Sequence, residues 1–171
     1  NIGTPVLDLL NDGVVYDAWV LELSSYQLDL VSTLSPIAST ILNITPDHLY
    51  RHGGLQGYID AKKKIFCNPP KRARKPIAVI SIDTEDCYDI AEELEEDDVW
   101  LVIPVSTQKR LDKGSYVEEG NLYEMREEGA TLIADLNQFE NLRGRHNHEN
   151  IACAYTIIRQ LYGYEPQKII D

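Results

Sequence analysis

Four short, nearly unbroken apolar runs constrain this chain more than any other feature: residues 17–23 (DAWVLEL), 37–44 (IASTILNI), 76–82 (PIAVISI) and 99–105 (VWLVIPV). Runs of this length suit strands covered on both faces, as in a parallel sheet. Between them, residues 5–10, 55–66 and 84–95 have helix-forming composition. Strand and helix in alternation predict βαβ units and an open α/β sheet flanked by helices. After Ser106 the pattern changes. Short segments at 115–117, 122–125 and 131–134 are separated by turn signals at Glu119-Gly120-Asn121 and Glu128-Gly129, which predicts a small antiparallel addition to the main sheet. Residues 148–162 return to helical spacing, with Ile151, Ala154, Tyr155, Ile158 and Tyr162 on one face.

At 171 residues the chain is long enough for one domain with a hydrophobic core and short for two. Its 28 acidic residues against 16 basic ones give a formal charge of −12. That balance excludes nucleic acid and anionic membranes as partners, since both require a basic surface that displaces counterions. A nucleotide stays open, provided that Mg2+ and backbone N–H groups supply local positive charge. No apolar run approaches membrane-spanning length and no basic-then-apolar leader opens the chain, so the expected location is the cytoplasm. Cys67, Cys87 and Cys153, odd in number and without CxxC spacing, read as reduced and mostly packed.

Chemistry-bearing residues fall at the ends of the expected strands. Glu22 closes the first apolar run and is followed by Ser24-Ser25-Tyr26-Gln27-Leu28. Ligands of open α/β sheets sit beyond the carboxyl ends of strands, and a carboxylate there suits a nucleotide-bound Mg2+. The bland alternative is a glutamate that caps the next helix. After the second run comes Thr45-Pro46-Asp47-His48-Leu49-Tyr50-Arg51-His52-Gly53, in which Asp47 and two histidines could ligate metal and Arg51 could clamp an anion. Lys62, Lys63 and Lys64 are consecutive on a helix, where charge patterning alone suggests a solvated face. Asn147 is suited to capping the last helix, with Asn150 three residues on; two amides there could also read a nucleobase edge. Taken without their order, these residues allow a metal-dependent hydrolase built on Asp47, His48 and His52.

Their order is more specific. NIGTP, VLELSSYQL, ILNITPDHLYRHG, a YxxAKxxIF pattern and LxGRHNxENIxxA follow one another as they do in the Mur ligases, and the chain resembles that family from Asn1 to about Tyr162. The SSYQL wording resembles the ELSSFQLE segment of the branch that adds D-glutamate. The resemblance implies a P-loop-NTPase-like central domain, mostly parallel, with a small antiparallel addition. It implies an ATP-dependent ligase of peptidoglycan synthesis, with UDP-N-acetylmuramoyl-L-alanine, D-glutamate and ATP as substrates and an acyl phosphate between them. Two Mg2+ ions are implied, held by Glu22, His48 and a carbamylated Lys62, with His48 and Lys62 catalytic. Asn147 and Asn150 match nucleotide-binding residues, and Asn1, Ser24 and Arg51 substrate-binding ones.

The wording departs from the family's in two places. Tyr50 stands where the DHLDRH loop has its second aspartate, and no GxxGK[ST] phosphate loop is present. The chain therefore reads as the middle of a longer enzyme, inactive alone, with a UDP-binding domain before it and an amino-acid-binding domain after it. Another Mur ligase, a folylpolyglutamate-synthetase-like ligase and a non-catalytic relative are the neighbouring readings.

Overall fold

Residues 76–82 become the centre of the molecule. The computed structural model describes residues 3–71 and 74–165. In it Ile77–Ser81 forms a strand (β2) buried along its whole length, with parallel neighbours on both sides. Those neighbours are β1 (Ala38–Ile41) and β3 (Leu101–Ser106). Beyond β3 the sheet continues through β4 (Ser115–Glu118), β5 (Asn121–Arg126) and β6 (Gly129–Asp135), in simple sequential order. The β3–β4 pairing is parallel and short; β4, β5 and β6 then run antiparallel. The expected mostly parallel sheet with an antiparallel addition is therefore observed.

Alternation along β2 divides the core between the two faces. Ala78 and Ile80 pack with Ile41, Tyr58, Ile59, Phe66, Ile90 and Trp100, which places helices α4 (Leu55–Lys63) and α5 (Glu85–Glu96) on that side. Ile77 and Val79 pack with Ile103, Val105, Leu122, Ala152, Cys153 and Tyr155, under helix α6 (Arg145–Tyr162). A strand covered on both faces suits a near-continuous apolar run, and Ile77–Ile80 supply one before the buried Ser81. Cys87 and Cys153 are buried and Cys67 is exposed; all three are free thiols. Burial pushes the Cys153 thiol up to about 12. No helix among the described residues is long and apolar enough to cross a membrane.

Two glycines matter to the path. Gly114, just before β4, has φ +84°, and a Cβ there would lie 2.0 Å from the Pro104 carbonyl oxygen. Only glycine passes so close to β3 in that conformation. Gly163, φ +63°, ends α6 with its N–H donated to the Arg159 carbonyl, a left-handed stop.

Two expectations fail. Residues 17–23 form no strand: Val15 and Val20 are 96% exposed, and Trp19 and Leu21 are also at the surface. A strand needs a hydrogen-bonded neighbour, and among the described residues none pairs with this segment. The contacts of its first part are local, with the Val14 N–H and the Tyr16 hydroxyl donating to Asp12 and the Tyr16 ring meeting Trp19 edge-on. Second, α6 begins at Arg145 and not at His148. Gly144, φ 103°, occupies the cap position, and the Asn147 amide donates back to the Arg143 carbonyl at 3.0 Å from inside the first turn. Asn147 is therefore helical and does not cap.

Candidate functional site

The parallel strands β1, β2 and β3 share one direction, so their carboxyl ends open on one edge of the sheet. Ligands of such sheets bind at that edge. Two buried serines fasten the strand ends to what lies above them. The Ser81 hydroxyl, ending β2, donates to the Glu149 carboxylate and so draws the first turns of α6 to this edge. The Ser106 hydroxyl, ending β3, donates to Asp83, which also accepts from the Thr107 N–H at 2.8 Å and the Thr107 hydroxyl at 2.7 Å. Asp83, directly after the run 76–82, had that position as its available signal, and Glu149, inside α6, had none. Asn147 and Asn150 lie three residues apart, on one side of the helix, with Asn150 exposed. The ring nitrogen His148 Nε2 between them is buried without a hydrogen-bond partner.

Glu22 lies in exposed chain without regular structure and not at the end of a buried strand. Short helices precede and follow it in the chain, α1 (Val6–Leu10) and α2 (Ser25–Leu30), and α2 is capped by Ser24 and not by the glutamate. The Ser24 hydroxyl accepts from the Gln27 N–H at 3.3 Å, and the Gln27 side-chain oxygen accepts from the Ser24 N–H at 3.0 Å. This reciprocal box satisfies the first turn and occupies the Ser24 hydroxyl. Ser25 and Leu28 are buried against the rest of the fold.

After β1 the chain runs without regular structure to His48, whose φ of 53° is left-handed. The Asp47 carboxylate accepts from the His48 N–H at 2.7 Å and lies 3.4 Å from His48 Nδ1. One turn of helix follows, α3 (Leu49–His52). A continuous series of ring contacts then leads inward. His48 meets the Tyr26 ring edge-on at 5.0 Å, Tyr26 meets His52 at 5.6 Å, and His52 meets Tyr58 at 5.7 Å. The Lys62 ammonium sits 5.3 Å above the Tyr58 ring. His48 and Lys62 thus mark the two ends of one aromatic row that joins α2, α3 and α4.

Other side chains here are held by partners. His52 Nε2 shares a hydrogen bond of 3.1 Å with the buried Ser25 hydroxyl. Arg51 lies 3.8 Å from Asp29 and 5.8 Å from the Tyr26 ring centre. Lys64 donates to the Asp29 carboxylate at 2.7 Å and to the Asp29 carbonyl at 3.2 Å. That hydrogen bond holds the Asp29 carboxyl below its ordinary value. Lys63 pairs with Glu93. The three lysines therefore have three different environments, and Lys62 is the one against an aromatic face. Tyr26 and Tyr50 share a hydrogen bond of 3.1 Å through their hydroxyls, which holds the Tyr26 phenol above its ordinary value. Asn1 lies outside the described residues.

With His52 committed to Ser25 and to two rings, the Asp47–His48–His52 metal set of a hydrolase is not assembled. Among the described residues no three His, Cys, Asp or Glu side chains converge on one point. Magnesium does not require such a cage, since it commonly takes one or two carboxylates, waters and substrate phosphate oxygens.

Comparison with known proteins agrees with the geometry. Residues 3–158 match the Mur ligase middle domain. The UDP-N-acetylmuramoylalanine–D-glutamate ligase of Caulobacter sp. (strain K31) is 44% identical over 173 aligned residues, covering all of this chain and 35% of the relative. Its counterparts from Rhodospirillum rubrum and Rickettsia bellii are 40% and 41% identical, again over the whole chain, which covers 35% and 36% of them. The chain thus spans about a third of the length of these relatives. Among solved structures, MurF from Acinetobacter baumannii superposes with a TM-score of 0.57 at 17% identity, over 85% of this chain and 30% of that one. At that identity the likeness establishes the fold. A sheet of this topology and a whole-chain match at 40–44% identity lead to one conclusion: the chain belongs to the Mur ligase family, as a middle domain.

Proposed function

We propose that this chain is the nucleotide-binding middle of a ligase that joins D-glutamate to UDP-N-acetylmuramoyl-L-alanine at the expense of ATP. The observation that carries this reading is the identity of 40–44% to ligases of that name along its full length. In the reaction, a carboxylate oxygen of the acceptor displaces ADP from the γ-phosphorus and forms an acyl phosphate. The amine of D-glutamate then attacks the acyl carbon, phosphate leaves, and the amine gives up a proton. The phosphate loop and the flanking domains belong to the remaining two thirds of such an enzyme.

The residues present suit Mg2+. Glu22 is an exposed carboxylate beside a capped helix, and His48 has Nδ1 turned toward Asp47, an arrangement that fixes a ligating histidine and presents its other nitrogen. Glu22, His48 and a carbamylated Lys62 would hold two ions. When bound, these ions neutralise the phosphate oxygens that otherwise repel the attacking carboxylate. Asn147 and Asn150 would face the nucleobase, with Ser24, Arg51 and Asn1 toward the acceptor. The Lys62 side chain would have to leave the Tyr58 face to reach metal, giving up the contact at 5.3 Å.

Lys62→Ala in the longer enzyme should abolish ligation, and a short carboxylic acid such as acetate should restore part of it. Lys63→Ala and Lys64→Ala should do comparatively little and show no rescue. Normal turnover in the Lys62→Ala enzyme would end the assignment.

A further inference from the structure

We propose that Tyr26 is a positioning residue for the His48 loop, tying it to the helix that follows Glu22. The inference rests on the ligase reading above and goes beyond it in naming what sets the loop's geometry.

The loop cannot hold itself. Residues 42–48 carry no regular hydrogen-bonded structure, α3 is a single turn, and His48 adopts a left-handed conformation with no side-chain cap on the helix it begins. A non-glycine residue persists in that conformation only where its surroundings impose it. An isolated helical turn is likewise unstable without tertiary contacts.

Tyr26 supplies those contacts to four of the five residues from His48 to His52. Its ring meets His48 at 5.0 Å and His52 at 5.6 Å, the Arg51 guanidinium lies 5.8 Å from its centre, and its hydroxyl meets that of Tyr50 at 3.1 Å. Tyr26 is itself well anchored. It sits in the first turn of α2, within the capping box of Ser24 and Gln27, between the buried Ser25 and Leu28. A fixed ring touching successive members of a loop that lacks its own scaffold is how a side chain sets position. The wording of the motifs agrees with this. The family's SSFQL has phenylalanine where Tyr26 stands, and its DHLDRH has aspartate where Tyr50 stands. Tyr26 and Tyr50 are the two ends of one hydrogen bond.

The test uses this chain with labelled histidine, tyrosine and phenylalanine, and the longer ligase for turnover. In the chain, Tyr26→Leu should shift the His48 ring resonances and speed amide exchange at Tyr50–His52 about tenfold. Tyr26→Phe should keep magnetisation transfer between ring 26 and His48. Tyr26→Phe, Tyr50→Phe and the double variant should shift the His48 ring resonances equally, because each removes the same hydrogen bond. In the ligase, Tyr26→Leu should lower kcat about tenfold or more, with KM for ATP unchanged, and Tyr26→Phe should recover most of it. Unchanged His48 resonances and exchange in Tyr26→Leu would overturn the proposal. So would additive shifts in the hydroxyl series, or full kcat in the Tyr26→Leu ligase. If the chain responds as expected but the unaltered longer protein makes no D-glutamate product, the ligase reading fails and the tie between α2 and the loop stands.

Discussion

Residues 17–23 and 76–82 look alike on paper and end in opposite environments. PIAVISI becomes a central strand in which Ala78, Val79 and Ile80 are all 0% exposed. DAWVLEL stays at the surface without regular structure, with Val20 at 96%. The two runs differ in neighbours. β2 has a hydrogen-bonded strand on each edge and helices on each face, whereas the earlier run has no strand beside it among the described residues. An apolar run declares that burial would be favourable, by roughly 25 cal/mol per Å2. It does not name the surface that provides it.

Hydrogen exchange offers the largest effect with which to break this comparison. Amides of β2 should exchange only through global opening and those of 14–23 through local motion, a separation of about a thousandfold or more. Equal protection in the two runs would show that the first run is paired after all. Truncation is the next test. Ile80→Ala should cost about 2–5 kcal/mol, and Val20→Ala less than about 0.5 kcal/mol, read from urea unfolding midpoints. Matching losses would erase the distinction.

The smallest effect concerns the junction, where α2 meets α4 and Lys64 pairs with Asp29. Because this pairing depresses the Asp29 carboxyl below 3.8, its stabilisation is present above that value and is lost as pH falls through the lower folded value. Asp29→Asn should therefore lower stability slightly above about pH 4, pH 7 included, leave it unchanged at the acid end, and so flatten the acid limb between them. An unchanged acid limb would show that the pair is open in solution.

These contrasts also mark what was legible in the sequence. The runs at 37–44, 76–82 and 99–105 and the three segments after Ser106 were readable because each finds its partner within the chain. The helices at 55–66 and 84–95 followed from composition and emerge within a residue or so at most ends. Residues 17–23 misled because a partner is a property of three dimensions. The start of α6 misled for a local reason: Gly144 takes the cap, although asparagine is the better capping residue by type. In the candidate site, the motifs indicated His48, Lys62 and the asparagines as residues to locate. Tyr26 gave almost no sign of its contacts, since one aromatic residue in a polar motif is silent about which loop returns to it.

The change of direction at β4 has a consequence for the order in which the molecule assembles. β4, β5 and β6 pair Ser115 with Glu124 and Asn121 with Asp135, near neighbours in the chain, so little entropy is lost in closing those loops. Hairpins of this kind form in about 1–10 μs. The parallel half pairs Ala38 with Ile77 and Ile77 with Leu101, and distant pairings of that sort are slow. The antiparallel half is therefore expected to pair first and present the edge of β4 to β3, with β2 and then β1 adding in turn. Synthesis runs the other way: β1 and β2 leave the ribosome before the edge on which they are to be laid down has been made. PIAVISI, buried along the whole of β2 in the folded chain, spends that interval uncovered, and it is there that a chaperone would find the nascent chain most worth holding.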